Sequence, residues 1–254
     1  MIVALGVALA VAFVAYVLHL LTAGGAIAAA FIGAATVLGG PGWVVLLLFF
    51  FITSSALSRW RASERDKRIG SLVEKVGQRD AIQVLANGAV FALAAALSTR
   101  HGIETWQAIG AGAIASATAD TWSTEIGTVI GGTPRHLTSA RKVAPGTSGG
   151  VTLVGTLSGL LGAVLAAIIA VRMDWETPVY AIVAGGVAGL FVDSLLGATI
   201  QERRWCTTCS ESTERRTHSC GTKTAHRGGL RGLNNDVVNL VSIIAGAMVT
   251  WTLS

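Results

Sequence analysis

Charged residues are scarce in this chain: they make up 13% of its 254 residues, whereas soluble domains carry about 25%. The low charge, together with apolar runs long enough to cross a bilayer, excludes an ordinary soluble enzyme and a disordered chain. Only 4 prolines occur, and the 31 glycines follow no Gly-X-Y period, which excludes a collagen-like protein. Glycine and alanine are instead the small residues that let membrane helices approach closely.

The apolar runs predict an all-α fold, a polytopic transmembrane helical bundle of about 7–8 spans with Gly/Ala-rich packing, in a single integral membrane domain over residues 1–254. The second and third runs are short and are separated by Gly39-Gly40-Pro41-Gly42, so they form either two tilted spans or a re-entrant pair. The first run lacks a basic n-region and a clear cleavage site, which favours a helix over a signal peptide. The predicted spans are 2–21, 24–38, 43–58, 80–98, 106–132, 149–171, 178–200 and 235–253.

The 19 lysines and arginines all fall outside the predicted spans. Seven lie in segment 59–79, three in 133–148 and seven in 201–233, which are alternate loops in an eight-span arrangement. Only Arg100 and Arg172 lie on the other side. The positive-inside rule therefore predicts that the three basic loops are cytoplasmic and that both termini are outside. Membrane topology and contact with anionic lipids would by themselves explain most of these basic residues.

Three acidic residues lie in the interior of predicted spans, away from their ends: Asp120, Glu125 and Asp193. Asp236 lies at the mouth of the last span. An ionised carboxylate inside a membrane is costly, and such residues usually have a function. The alternative is a protonated acid that forms a hydrogen bond with a neighbouring helix.

Asp120 and Glu125 are five residues apart, which places them about 140° apart around a regular helix. One cavity can accommodate both carboxylates only if it is wide or if the helix unwinds. Thr121 and Thr124 extend the carboxylates into a polar belt. Oxygen ligands of this kind suit Mg²⁺, which proteins hold through one or two carboxylates together with substrate phosphates.

A basic and glycine-rich segment precedes the span predicted at 149–171. Backbone N–H groups in such a turn, at the start of a helix, can bind phosphate oxygens, and Arg141 and Lys142 add countercharge. The residue order is not that of a Walker A loop, and a plain interhelical turn is the alternative. The nearby acids favour a Lys-Pro-Gly phosphate-binding loop over 133–148. Its candidate contacts are Arg141, Lys142, Pro145, Gly146, Thr147, Ser148, Gly149 and Gly150.

Amides and acids recur near the predicted cytoplasmic ends of other spans. Asp193, Gly197 and Gln201 are spaced to share one helix face. Amides in a span can simply join neighbouring helices, but several polar clusters at the same ends suggest one shared site. The amides are Gln83, Asn87, Gln201, Asn234, Asn235 and Asn239.

All three cysteines lie in the Cys/His loop, segment 201–233. Its predicted cytoplasmic location argues against disulfides, because the cytosol is reducing. Cys206 and Cys209, followed by His218 and Cys220, supply four ligands for a tetrahedral structural zinc ion, with His226 as an alternative to His218. Free thiols are the other interpretation. A catalytic zinc is not expected, because the pattern indicates no open coordination position.

Five ordered motifs resemble the integral membrane family that contains plant phytyl-phosphate kinase, and they extend over nearly the whole chain. They also resemble, in part, motifs of CTP-dependent polyprenol kinases. The motifs are QVLANG (83–88), ADTWSTEIG (119–127), PGTSGG (145–150), VDSLLGATIQ (192–201) and NNDVVN (234–239).

The resemblance implies a lipid kinase that transfers a phosphoryl group from a nucleoside triphosphate, with CTP favoured, to a prenyl monophosphate such as phytyl or geranylgeranyl phosphate. It implies Mg²⁺ on Asp120 and Glu125, and donor phosphates on Lys142 and the loop backbone. The set Asp193, Asn87, Asn235 and Asn239 would complete the metal or acceptor shell. The partners are then the nucleotide, the isoprenoid lipid phosphate and membrane lipids, with no nucleic acid; the oligomeric state stays open.

Two other functions remain open from the sequence. A CTP-dependent cytidylyltransferase that makes a CDP-lipid would release pyrophosphate rather than a nucleoside diphosphate. A small-solute transporter would also carry acids within its spans. A transporter would, however, have polar residues throughout the membrane depth and repeat symmetry between its halves, and this sequence has polar residues near one side.

Overall fold

The computed structural model describes residues 2–75, 77–100 and 102–254, with side chains from residue 5 onward. Within these residues nine α-helices make up most of the fold, and eight of them coincide with the predicted spans. The helices are α1 (Ile2–Val17), α2 (Ala23–Gly39), α3 (Pro41–Arg59), α4 (Ala62–Ile69), α5 (Ala81–Ser98), α6 (Ile103–Ile130), α7 (Leu153–Arg172), α8 (Val179–Thr199) and α9 (Asn235–Leu253).

Two small antiparallel sheets lie between the helices, so the all-α prediction was incomplete. Their strands are only two to four residues long, too short for a recognisable alternation of apolar residues. The first sheet pairs β1 with β2, and the second has the order β4-β3-β5. The strands are β1 (Arg135–His136), β2 (Gly150–Val151), β3 (Arg203–Cys206), β4 (Glu211–Thr213) and β5 (Ala225–Gly228).

Several helix boundaries differ from the prediction by up to four residues, and three of these differences are informative. The first helix ends at Val17 rather than near residue 21, because the chain turns at His19, where φ is 55°. Helix α7 begins at Leu153 rather than at 149, because Thr152 caps it by accepting the backbone N–H of Gly155 (3.0 Å). Helix α8 ends at Thr199, so the prediction of one helix face reaching Gln201 was wrong.

Helix α4 was not predicted, because it lies inside the basic segment 59–79. Its sequence is charged, but Arg65 and Ile69, one helical turn apart, are buried while the neighbouring charges are exposed. The segment is therefore a short amphipathic helix packed on the bundle rather than a solvated loop.

Five helices of the described residues, α3, α5, α7, α8 and α9, are long and apolar enough to cross a membrane. The apolar helices α1 and α2 are shorter. Large apolar side chains such as Phe31, Leu93 and Leu153 are exposed on helix surfaces, as expected of helices that face lipid. The prediction of 7–8 spans stays a prediction, as does the choice between tilted spans and a re-entrant pair for α2 and α3.

Helix α6 is the centre of the bundle and packs against α3, α5, α7, α8 and α9. Its middle, from Ala111 to Ala119, is buried and, apart from Ile114, consists of small residues. Close approach is essential here: a Cβ added to Gly189 of α8 would lie 2.6 Å from the Cβ of Ser116 on α6. The Gly/Ala-rich packing predicted from composition is therefore seen at this contact.

Three basic segments meet at one end of the bundle, which we call the loop end. The backbone N–H of Glu214 donates to the carbonyl of Leu72 (2.8 Å), and the Ser148 hydroxyl donates to the Glu214 carboxylate. Arg68 donates to the carbonyl of Val129 (2.9 Å). The first two contacts connect the segments 59–79, 133–148 and 201–233, which the charge pattern assigned to one side of the membrane, and the third joins segment 59–79 to the end of α6.

Candidate active site

A cavity of about 680 Å³ extends from the loop end into the bundle. Its polar lining comes from the parts of α3, α5, α6, α8 and α9 that lie nearest the loop end and from the segments between helices. Its apolar lining comes from deeper parts of α1, α2 and α3, such as Val11, Ile32 and Leu47. The size falls in the range of small-molecule sites, and the cavity joins a charged region to an apolar one.

Glu125 of α6 is held by two residues that sequence reasoning did not connect with it. Its Oε1 accepts a hydrogen bond from Ser58 of α3 (2.6 Å), and its Oε2 accepts one from Arg65 of α4 (2.5 Å). Arg79 donates to the same Ser58 hydroxyl (3.2 Å). The carboxylate thus fixes one guanidinium in the cavity wall and lies near a second, although no basic residue occurs within the spans themselves.

Lys75 joins two acids at the mouth of the cavity. Its Nζ lies 2.5 Å from Oδ2 of Asp236 and 2.8 Å from Oδ2 of Asp80. Burial by itself would lower the pKa of Lys75, but the bonds to Asp236 and Asp80 outweigh it and raise the pKa. Asp80 also caps α5 by accepting the backbone N–H of Gln83 (2.9 Å), which explains the polar start of this helix. The carboxylates of Asp236 and Asp80 therefore neutralise the Lys75 ammonium group and fix its position.

Asp193 of α8 lies on another wall and has an amide partner. The Asn239 side chain, oriented to satisfy both of its neighbours, donates to Oδ2 of Asp193 (2.9 Å) and to the carbonyl of Asn235 (3.2 Å). Asp120 and Glu214 are close enough to repel the Asp193 charge. Among the described residues, Asp120 and Asp193 form no ion pair with lysine or arginine. The side chains of Asp120 and Asp193 therefore lie on this wall without a basic side chain from the described part of the chain to neutralise them.

Glu214 reaches the cavity from the segment after strand β4. Its carboxylate accepts a hydrogen bond from Ser148, which by itself lowers the pKa, but burial dominates and raises the pKa of Glu214 to about 7. The nearby charge of Glu74 acts in the same direction as burial. Ser148 was predicted to bind phosphate, and the structure places it against this acid.

Six of the predicted site residues line this one cavity. They come from α5, α6, α8 and α9, helices that are distant in sequence but converge at the loop end. The proximity predicted for the polar clusters is thus present in the fold, while the catalytic and metal-binding roles stay predictions. The six residues are Asn87, Asp120, Glu125, Asp193, Asn235 and Asn239.

The Lys-Pro-Gly segment lies outside the cavity lining. Arg141 and Lys142 are exposed, and the backbone of Lys142 forms an isolated antiparallel β-bridge with that of Arg135. Packing and backbone conformation explain two of the glycines. A Cβ on Gly149 (φ 74°) would lie 2.4 Å from Ala198, and one on Gly146 (φ 81°) would clash with Ile69. The remaining predicted contacts of the segment, Pro145, Thr147 and Gly150, are likewise not in the lining.

Gln201 and Asn234 are also separate from the main cavity. Both line a much smaller neighbouring cavity, together with Glu202 and Arg204. Gln201 follows the end of α8, where its backbone N–H bonds to the carbonyl of Leu196 (3.0 Å). Asn234 caps α9 by accepting the backbone N–H of Val237, which gives it a structural role.

Five cavity residues that form the contacts described above were missed by sequence reasoning. The basic members were attributed to membrane topology, because a loop arginine gives no local sign that it folds back onto a span. The one usable signal was the spacing of Arg65 and the apolar Ile69, which are one helical turn apart in an otherwise charged segment. The missed residues are Ser58, Arg65, Lys75, Arg79 and Glu214.

The Cys/His loop forms its own cluster away from the cavity. The ligand atoms of four residues all lie within 4.8 Å of one another. His226, the alternative ligand, is not among them and lies with Nδ1 3.5 Å from Oε1 of Glu202. The four clustered residues are Cys206, Cys209, His218 and Cys220.

The fold and the cavity define an integral membrane protein with a helical bundle and a charged cavity that continues into an apolar one. A family model described as integral membrane protein DUF92 matches residues 6–247, and the chain therefore belongs to this family. The family membership indicated by the five sequence motifs is confirmed.

Several relatives are similar over most of this chain. An uncharacterized membrane protein of Methanocaldococcus jannaschii is 32% identical over 195 residues, which cover 71% of this chain and 70% of that protein. Protein PGR of Arabidopsis thaliana is 28% identical over 228 residues, 78% of this chain and 77% of PGR. The chloroplastic protein VTE6 of Arabidopsis thaliana is 28% identical over 239 residues, 90% of this chain but 64% of VTE6. The comparison with solved structures gave no match.

Proposed function

We propose that this protein is a membrane phosphotransferase of the prenyl-phosphate kinase type. It transfers the terminal phosphoryl group of a nucleoside triphosphate, with CTP as the favoured donor, to a prenyl monophosphate such as phytyl or geranylgeranyl phosphate. The observation that carries the proposal is the single cavity in which carboxylates, cations and amides adjoin an apolar region. The sequence resemblance to the family of plant phytyl-phosphate kinase supplies the reaction type.

The apolar part of the cavity suits an isoprenoid tail. Side chains from α1, α2 and α3, such as Val7, Val37 and Phe51, line it without any charge. A prenyl chain that leaves the bilayer for this region keeps an apolar environment, while its phosphate reaches the charged part. The same cavity would be a poor site for a small polar solute, because its deeper part is lined mainly by apolar side chains.

The charged part suits a magnesium-bound triphosphate. Asp120, Asp193 and Glu214, with nearby amide oxygens, form the oxygen-rich donor set that Mg²⁺ prefers. We assign the ion to Asp120 and Asp193, where it would supply positive charge to the donor phosphates. Glu125 would have to share its oxygens with Ser58 and Arg65, so its metal role stays a prediction.

The guanidinium groups of Arg65 and Arg79 bind and neutralise phosphate oxygens, for which their planar arrays of N–H donors are suited. A phosphate oxygen of the prenyl monophosphate attacks the terminal phosphorus of the nucleotide. The bond from that phosphorus to the bridging oxygen breaks, and the nucleoside diphosphate leaves. A phosphate monoester has a second pKa of about 6 and is already mostly a dianion at pH 7, so no general base is required to deprotonate the attacking oxygen.

The loop end is cytoplasmic in this proposal, with both termini outside and eight helices crossing the membrane. The donor nucleotide then enters from the cytoplasm beside the charged part of the cavity. Lys142 and the 133–148 segment act as an outer phosphate-binding loop, close to the cavity through the contact between Ser148 and Glu214.

The test is a product assay on detergent-purified protein. Phytyl, geranylgeranyl and farnesyl monophosphates are each combined with CTP or ATP and Mg²⁺, and the lipid and nucleotide products are separated by mass. We expect a prenyl diphosphate and a nucleoside diphosphate. A CDP-lipid with pyrophosphate would instead identify a cytidylyltransferase.

The matched variants are Asp120→Asn and Asp174→Asn. Asp174 is an exposed acid outside the cavity with φ of 60°, a conformation that asparagine also adopts readily. We expect Asp120→Asn to abolish turnover and Asp174→Asn to retain it. Equal turnover in both variants would remove Asp120 from the reaction, and no product from monodisperse wild-type protein with any substrate pair would refute the kinase assignment.

A further inference from the structure

The four clustered residues of the Cys/His loop have the spacing of metal ligands. The Sγ atoms of Cys206 and Cys220 are 3.6 Å apart, and Nδ1 of His218 lies 3.3 Å from Sγ of Cys220. A tetrahedral zinc ion with bonds of about 2.0–2.3 Å keeps its ligand atoms about 3.3–3.8 Å apart. These two distances therefore already match a zinc site.

We propose that Cys206, Cys209, His218 and Cys220 bind one structural zinc ion. Cys206 ends strand β3, Cys209 follows in the turn to β4, and the other two ligands lie in the connection from β4 to β5. The ion would join two turns at one end of the three-stranded sheet. A sheet whose strands have only three or four residues has little core of its own and gains stability from such a link.

The surroundings of the ligands fit this assignment. Nε2 of His218 is buried, has no hydrogen-bond partner among the described residues, and faces Oε2 of Glu211 at 3.6 Å. Metal-bound histidines commonly turn their second nitrogen toward a carboxylate in this way, which leaves Nδ1 for the ion. The backbone N–H of Cys209 points at Sγ of Cys206 (3.5 Å), where it would stabilise a thiolate.

Four protein ligands close the coordination of a tetrahedral ion, so the site is structural rather than catalytic. His226 cannot complete an alternative set, since it lies in β5 beside Glu202. The thiols are free in the structure, and three cysteines with one histidine form a recognised zinc combination.

The zinc site also has a consequence for the cavity. Strand β4 begins just after Cys209, and at its end Thr213 donates to the carbonyl of Ser71 (2.9 Å) while the N–H of Glu214 bonds to Leu72. The ion would thus stabilise the sheet that carries Glu214 into the cavity. Only this consequence rests on the proposed function; metal binding itself does not.

The test is the metal content of full-length protein purified in detergent without chelators, measured by mass spectrometry of the elements. We expect one zinc ion per chain. The variants Cys209→Ser and His218→Ala should lose most of it, while the matched controls Thr207→Ser and His226→Ala should keep it. Cys209 is exposed, so its replacement by serine leaves the buried sheet residues in place.

Cobalt substitution gives an independent readout, because Co²⁺ bound by three thiolates has an intense charge-transfer band that Cys209→Ser should weaken. Three outcomes would overturn the proposal: wild-type protein that holds no zinc and takes none up when it is added, loss of zinc in His226→Ala but not in His218→Ala, or a mass lower by two hydrogens that reveals a disulfide. All of these readouts are independent of kinase activity, so failure of the zinc site and failure of the proposed function are distinguishable.

Discussion

The ion pair between Arg65 and Glu125 connects the short helix α4 to the central helix α6, and its removal has a calculable effect. The two groups are 2.5 Å apart, with side chains only 11% and 14% exposed. Breaking a buried pair by removing one partner costs about 3–5 kcal/mol, because the other charge stays buried. Glu125 keeps its bond to Ser58 and lies near Arg79, so we expect Arg65→Met to lower the free energy of unfolding by about 2–3 kcal/mol.

A double-mutant cycle can measure the interaction energy of Arg65 with Glu125 apart from the other contacts of each residue. Glu125→Gln should cost a similar amount, and the double variant should cost less than the sum of the two, with a coupling energy of about 1–2 kcal/mol. Glu64→Gln is the matched control, because it breaks the Arg61–Glu64 pair on the same helix, where the side chains are 43% and 48% exposed. That exposed pair should contribute less than about 0.5 kcal/mol.

The assay is equilibrium unfolding in mixed dodecylmaltoside and dodecyl sulfate micelles, followed by circular dichroism. The cycle is interpretable only if the single variants unfold with the same cooperativity as the wild-type protein. If the two single changes add to within about 0.3 kcal/mol, Arg65 and Glu125 do not interact in solution and the description of this cavity wall is wrong.

Three further outcomes are expected. Gly189→Ala should lower the free energy of unfolding by an overpacking cost of about 1–3 kcal/mol or more, because the new Cβ meets Ser116, and the thermal midpoint in detergent should fall with it. Gly6→Ala, with nothing within 4 Å of the new Cβ, should leave the midpoint unchanged. The pKa of Glu214 is raised from 4.5 to about 7. The folded chain therefore holds a proton that the unfolded chain releases, and the contribution of Glu214 to stability, measured without magnesium, should fall by about 3 kcal/mol as pH rises from 4.5 to 7. Glu214→Gln should remove that slope. Asn239→Ala should lower turnover about 10–100-fold, as loss of a residue that orients a metal ligand does, with the fold unchanged by circular dichroism.

The helices could be predicted from sequence because an apolar run of about twenty residues is a local property that directly reports burial in lipid. Helix α4 and the short strands could not. Arg65 and Ile69 are the two buried positions of α4 in a charged segment, and two positions are too few to distinguish a short amphipathic helix from a loop. The strands contribute two to four residues each, and their pairing depends on contacts between distant segments.

The acidic part of the site was predictable for an energetic reason. A carboxylate in a span carries a large desolvation cost, so Asp120 and Asp193 stand out in sequence without any structure. Their basic neighbours do not stand out, because an arginine or lysine in a loop carries no desolvation cost. Its presence there is explained equally well by membrane topology and by a binding site. Gly149 shows how a packing requirement can produce the same sequence signal as a binding site: its φ of 74° and the close approach of Ala198 already require a glycine, and its phosphate contact stays a prediction.

The distribution of charge within the cavity favours a magnesium-bound nucleotide over a single ion or a neutral solute. On one wall two cations are already paired, Arg65 with Glu125 and Lys75 with two acids, and Arg79 donates to the Ser58 hydroxyl. On the other wall Asp120 and Asp193 have no cationic partner among the described residues, and Asn239 is the donor to one of them. A ligand that carries a divalent cation together with phosphates complements both walls at once, because its metal neutralises the unpaired acids while its phosphates compete for the guanidinium groups. A simple anion would be repelled by the acids, and a simple cation would leave the guanidinium groups without a role.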